Sequence, residues 1–272
     1  MPHEVNLYEG HFGRLEKDVY VAVRRSTYGE DLGQAGWMTL QEAREFMQLL
    51  ALGPAQTALE VACGSGGVTC RMALESGAVF TGVDVNPHAV AAAVARANVH
   101  GLEAQVSFQV ADAGRPLPFA DESFDAILCN DSINHLPRRI EVLRDWHRVL
   151  RPGGRVLFTD PIVVTGQLTN EEIRVRSSIG FFLFTPVGCN ERLLEESGCF
   201  VQQVRDVTTA VTSVSKRWRN AREERREALA GLEGEENFEG LQRFLEVVHL
   251  LAEERRLSRY MYLARKGRVE TR

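Results

Sequence analysis

Residues 58–70, ALEVACGSGGVTC, constrain the fold more than any other part of the chain. An apolar run with strand character closes on an acidic residue, Glu60. It then passes through glycines at 64, 66 and 67 into a helix that reaches Gly77. A loop so poor in side chains lets backbone approach a ligand and lets a helix N-terminus aim its amides at it. The phosphate-binding P-loop is excluded, because no GxxxxGK[ST] occurs. The dinucleotide fingerprint GxGxxG finds Gly64 and Gly66, but its third glycine falls on Thr69, where close helix–strand packing wants Gly or Ala.

The surrounding punctuation is regular. TLQE at 39–42 reads as a capping box, with Leu40, Ala43, Phe46 and Leu50 at helical spacing behind it and LGP at 52–54 as the stop. Strands are expected at about 58–62, 78–85, 104–112, 123–130 and, after an RPGG turn at 151–154, at 155–160. Helices fill the gaps, one capped by Asn86 with Pro87 at its first position, another running from Pro137. Strands alternating with helices of this length imply an α/β, doubly wound, mostly parallel sheet with helices on both faces. Beyond residue 160 the rhythm loosens. A helix over 189–198 and strands over 200–207 and 258–266 are separated by about fifty residues of charged, helical sequence. We expect helical insertions at about 161–187 and 208–256 over one end of the strands, and a lid segment, 1–38, ahead of a domain spanning 39–272. Phe238, Leu241, Phe244, Leu245, Val248 and Leu251 form an apolar stripe in the second insertion that must pack on something, either capping the fold or joining subunits of a homo-oligomer.

Other classes of function find little support. No apolar run approaches the roughly 18 residues of a membrane span, and the first residues lack a charged-then-apolar signal pattern. Five cysteines without a CxxC pair suit a reducing compartment. A net charge of −5 gives no pull toward nucleic acid or anionic lipid. The expectation is a cytoplasmic protein with a small-molecule partner, no nucleic-acid or membrane partner, and no metal, since Asp131 alone is too little to hold one.

Acidic residues end three successive strands: Glu60, Asp84 and Asp112. They suit a ligand with a ribose, an exocyclic amine and a cationic group, and they would repel a pyrophosphate. Here the sequence resembles the class I S-adenosylmethionine-dependent methyltransferases over about residues 57–160. LEVACGSG is similar to the family's first motif, with Ala62 in place of its first glycine, and VDVNP to its second. VADA resembles the third, SFDAILCNDSINHL the fourth, and RVLRPGGRVLFTDP the post-helix turn and fifth strand. The resemblance implies a Rossmann-like seven-stranded sheet ending in an antiparallel hairpin made of 200–207 and 258–266, with S-adenosylmethionine as cofactor. It implies a cofactor site built from Glu60, Ala62, Gly64 and Gly66, with ribose on Asp84, adenine against Val85 and Ala113, its amine on Asp112, and the methionine moiety near Cys129 and Asn130. The lead-in YGEDLGQAGWMT is similar to N-terminal segments that fold over the cofactor in small-molecule members, which brings Tyr28, Gln34 and Trp37 toward the site.

His135 lies five residues past Asn130, where an imidazole can take a proton from an attacking hydroxyl or ammonium, or can simply stand at a helix entry. Arg174 and Arg176, ahead of IGFFLFTP with Phe181, can hold a carboxylate or phosphate of a substrate or lie solvated on a lid helix. The expected activity is methyl transfer to nitrogen or oxygen, with carbon open, of a small molecule. A regulatory protein that keeps the pocket, transfer of another group such as aminopropyl, and an NAD-dependent oxidoreductase are the rivals. Thr69 and Asp112 speak against the last.

Overall fold

The computed structural model describes residues 12–267. Helix α1 (Asp18–Tyr28) and α2 (Leu40–Leu49) precede β1 (Thr57–Val61). Thereafter α3 (Gly67–Ser76), β2 (Val79–Asp84), α4 (Pro87–Val99), β3 (Val106–Val110), β4 (Phe124–Cys129), α5 (Arg139–Val149) and β5 (Leu150–Val164) alternate as expected. The local signals are those read from the sequence. Thr39 and Glu42 close the capping box of α2, and Asn86 accepts from the amides of His88 and Ala89 ahead of Pro87. The RPGG segment is the exception. Leu150 pairs with Phe124 and Arg155 with Ala126, so residues 151–154 bulge from one continuous strand. Arg151 holds that bulge to Asp125 and Thr57.

The sheet runs β3-β2-β1-β4-β5-β8-β7, where β7 is Cys199–Asp206 and β8 is Leu257–Lys266. Strands β1 to β5 pair in parallel, and β8 alone is reversed, antiparallel to both β5 and β7. An eighth strand corrects the expected seven. Thr185–Pro186 (β6) pairs with the far end of β5, a two-residue contact too short to announce itself as periodicity. Alternate residues of each central strand feed two cores. Ala58, Phe80, Leu128 and Leu157 pack with Phe46 and Met72, whereas Leu59, Ile127 and Phe158 pack with Trp146 and Tyr262 on the opposite face. The chain order reverses between β1 and β4, and their carboxyl ends open a crevice there.

Over that crevice lies a helical cap. Helix α6 (Asn170–Arg176) belongs to the first insertion, and α7 (Cys189–Glu196) returns the chain to the sheet. The second insertion is α8 (Thr208–Glu223), α9 (Arg226–Glu233) and α10 (Glu235–Glu253). Its apolar stripe is covered by the chain itself. Phe238, Leu241, Phe244, Leu245 and Val248 pack with Tyr20, Val23, Tyr28 and Trp37 of the N-terminal segment and with Val214 and Trp218 of α8, while Leu251 joins Ile162 and Val175. The mixed charges of 215–226 are partly solvated, as in the pairs of Arg226 with Glu223 and Glu239. Arg222 is instead buried against Glu233. Among the described residues no helix is long and apolar enough to cross a membrane.

Candidate cofactor and acceptor site

The glycine loop turns by leaving ordinary backbone space. Ala62 (φ 57°), Gly64 (φ 55°) and Gly66 (φ 69°) are all left-handed. A Cβ on Gly66 would also stand 2.6 Å from the Phe108 ring and 2.7 Å from Ala93, so helix α3 and strand β3 close only around a glycine. Asp84 fastens the loop. Its Oδ2 accepts from the Gly64 amide at 2.9 Å and its Oδ1 from the Asn86 amide at 2.9 Å. Each oxygen retains a second lone pair. Burial raises the Asp84 pKa, and the backbone amides of Asn86, Gly64 and Val85 counter it. Just beyond, Val85 is exposed. At the end of β3, Asp112 is exposed, with Oδ1 on the Gly114 amide and Oδ2 3.3 Å from Arg115, beside a half-buried Ala113.

Glu60 sits differently. It is 4% exposed and accepts from the Thr69 hydroxyl, so it ties β1 to α3. Burial pushes its carboxyl up to about 7, with the nearby Asp84 charge adding to the effect.

On the other side of the switch point, the Cys129 side chain is 0% exposed within the sheet core, which leaves only its backbone near the crevice. Asn130 and Asp131 turn the chain, Asp131 with φ 54°. Asp131 Oδ2 accepts the Trp37 amide at 2.8 Å, and its Oδ1 accepts from Thr159 at 2.8 Å and Arg259 at 2.6 Å.

A small cleft, partly open to solvent, lies between this turn and the cap. Trp37 and Trp218, 6.0 Å apart, form one wall, and Phe182 and Phe244 another. The Arg176 guanidinium lies 4.6 Å from the Phe182 ring and 5.1 Å from the Phe244 ring. His135 completes the lining. Its Nδ1 is 2.9 Å from the Phe181 carbonyl, which can only accept, so Nδ1 carries the proton and Nε2 is the basic nitrogen of the neutral ring. Burial lowers the His135 pKa and Arg176 lowers it further, against the Phe181 carbonyl and Asp160.

Several expectations are corrected by this placement. Arg174 is no cleft residue: it is solvated and paired with Glu171 at 2.6 Å, and Arg176 lines the cleft. The Phe181 side chain points outward, 57% exposed. Its carbonyl orients His135, and the neighbouring Phe182 supplies the ring. Trp37 itself lines the cleft, beside Asp131. Tyr28 stands behind that wall, its hydroxyl donating to the Gly36 carbonyl at 2.9 Å, and Gln34 accepts from the Leu32 amide.

Other residues were missed. Gly67 allows the N-terminal segment to lie on the loop, since a Cβ there would overlap the Leu32 carbonyl. Its signal was a third glycine that the fingerprint does not require. Arg259 is wholly buried within β8, and a charge inside the apolar alternation SRYMYL was the sign of it. Trp218 and Phe244 offered only helical apolar spacing.

The lining fits S-adenosylmethionine. The glycine-loop backbone follows the carboxyl end of β1, and Asp84 and Asp112 stand at the carboxyl ends of β2 and β3 next to Val85 and Ala113; carboxylates there accept from hydroxyls and amines and repel a pyrophosphate. The comparisons agree. A family model described as a methyltransferase domain matches residues 59–158. The methyltransferase GfsG of Streptomyces halstedii is 34% identical over 185 residues, 66% of this chain but 64% of that one, so the chain spans a little under two thirds of its length. The 27-O-demethylrifamycin SV methyltransferase of Amycolatopsis mediterranei is 30% identical over 224 residues, 76% of this chain and 82% of the relative. Among solved structures, phosphoethanolamine N-methyltransferase 2 of Haemonchus contortus, in complex with phosphomonomethylethanolamine and S-adenosylhomocysteine, superposes with a TM-score of 0.79 at 20% identity. It covers 94% of this chain and 59% of that one, a likeness of fold alone. Identity sustained over 82% of the rifamycin enzyme, on a fold whose loop and strand ends accept the same ligand chemistry, places the chain in a family: it belongs to the class I S-adenosylmethionine-dependent methyltransferases.

Proposed function

We propose that the chain methylates a hydroxyl of a small molecule bound in the aromatic cleft. When bound, S-adenosylmethionine supplies a methyl group already activated by its sulfonium. Asp84 accepts the ribose hydroxyls and Asp112 the adenine amine, while Val85 and Ala113 border the ring. The glycine loop lets backbone approach. Trp37, Trp218, Phe182 and Phe244 hold an apolar acceptor body and exclude water. The hydroxyl proton goes to His135 Nε2, which the Phe181 carbonyl aims through Nδ1 and which burial keeps neutral at pH 7. The cap of N-terminal segment and insertions serves as the lid over both ligands.

One observation supports oxygen as the acceptor: the relative that this chain matches over 82% of that relative's length is by name a 27-O-demethylrifamycin SV methyltransferase, an enzyme that methylates an oxygen.

The test uses S-adenosylmethionine with a labelled methyl and a panel of hydroxyl- and amine-bearing small molecules. Label is expected on hydroxyls, with His135→Ala lowering kcat by about 10²–10⁴ and leaving S-adenosylhomocysteine affinity unchanged. Label on amines in preference to hydroxyls would refute the acceptor assignment. An unimpaired kcat in the variant would remove His135 as base.

A further inference from the structure

Arg259 has no place in the motifs of the family, yet it is 0% exposed and satisfies four oxygens. From β8 its guanidinium reaches past β5 to the end of β4. It meets Asp131 Oδ1 at 2.6 Å through Nε, Glu42 Oε1 at 2.6 Å through Nη1, and Asn130 Oδ1 at 2.9 Å and Thr159 Oγ1 at 3.4 Å through Nη2. Both carboxylates use their other oxygen on the same short stretch of the N-terminal segment. Asp131 Oδ2 accepts the Trp37 amide at 2.8 Å, and Glu42 Oε2 accepts the Thr39 amide at 3.0 Å. One buried cation therefore governs two anions, and each anion grips one backbone amide of residues 37–39.

Neither grip would hold alone. A buried carboxylate without a counter-charge is costly, and two of them in one place more so. The planar fork divides its donors among separate acceptors, which the single ammonium of a lysine cannot do at these positions. The stretch so held carries Trp37 into the cleft wall, and the same guanidinium fixes Asn130 at the edge of the crevice.

We propose that Arg259 is the positioning residue of the acceptor cleft, a clasp that couples the two anchors of residues 37–39 and so fixes Trp37 against Asp131. This rests on reading the cleft as the acceptor's, but the clasp itself is testable without any acceptor.

Hydrogen exchange on the whole chain reads it directly. In Arg259→Lys, which keeps a positive charge beside the carboxylates, exchange at the Trp37 and Thr39 amides is expected to rise at least tenfold, with β1, β2 and β4 unchanged. Glu42→Gln, which touches neither Trp37 nor Asp131, is expected to speed exchange at Trp37 in the native background. It should add nothing in the Arg259→Lys background. If Arg259→Lys does not fold, Asp131→Asn takes its place, with the prediction that Thr39 loses protection although its own acceptor, Glu42, is intact. Unchanged protection at both amides would overturn the clasp, as would an equal loss across the sheet. Glu42→Gln acting alike in both backgrounds would also overturn it, since that describes helix fraying. Failure of methyl transfer to hydroxyls alone, with the exchange pattern as expected, would count against the acceptor reading and leave the clasp standing.

Discussion

Glu60 shows at the scale of one residue how the loop is held at some cost in stability. Its carboxyl is pushed up to about 7 when folded, against about 4.3 for a free side chain. Between those values the folded chain binds a proton that the unfolded chain releases. The stabilisation is therefore complete below pH 4 and is lost as pH rises through 7. Glu60→Gln keeps an acceptor for the Thr69 hydroxyl and carries no charge at any pH. It should match the native chain at pH 4 and exceed it at pH 8 by up to about 3 kcal/mol in urea unfolding; a difference that did not vary with pH would contradict this. Asp84 and Asp112 were legible as strand-end carboxylates, because alternation fixed where β2 and β3 stop. Arg174 was not: helix α6 has only seven residues, and nothing in so short a run sets which of two arginines turns inward. Ala62 was legible as a small residue, but its left-handed backbone was not, since the first motif tolerates alanine there only at a conformational cost.

Among elements, the contact between the N-terminal segment and helix α3 is the tightest in the site. The Leu32 carbonyl lies where a side chain on Gly67 would begin, and Ser65 donates to the Gly33 carbonyl at 3.1 Å. Backbone cannot swing aside as a long side chain can. Gly67→Ala should push residues 31–37 off the loop and cost about 1–3 kcal/mol. Limited proteolysis within that segment, in a chain whose sheet retains its native circular dichroism, would report it. Resistance equal to the native chain would refute it. Six of the strands were read to within a residue or two, because alternation and flanking turn residues bound them, whereas β5, expected at 155–160, runs from Leu150 to Val164. Where the third dimension decides, sequence was silent. The RPGG bulge stays within β5 because Asp125 and Thr57 hold Arg151, and β6 exists only through its partner.

For the whole molecule, the parallel sheet was legible from alternation, whereas the unity of the cap was not. Tyr28 of α1 meets Trp218 of α8 at 6.4 Å, and Tyr20 donates to Glu233, contacts that no local pattern encodes. The molecule should behave as a ligand-stabilised unit. S-adenosylhomocysteine at a hundred times its Kd is expected to add about 2.7 kcal/mol, and so to raise Tm by roughly 5–10 °C. Asp84→Ala should fold and lose that rise, and an undiminished rise would show that the ribose site lies elsewhere.

The reversed strand β8 also bears on how the chain comes off the ribosome. It follows every other described strand in sequence, yet it lies between β5 and β7. Until residues 257–266 have been synthesised, β5 has an open edge on that side and β7 has no neighbour in the sheet at all. Arg259 arrives with that same strand, so on the clasp proposed above, nascent chains that already contain the glycine loop and every acidic strand end still lack the cation that couples the two anchors of residues 37–39. On that reading the clasp closes last, once β8 lies between β5 and β7.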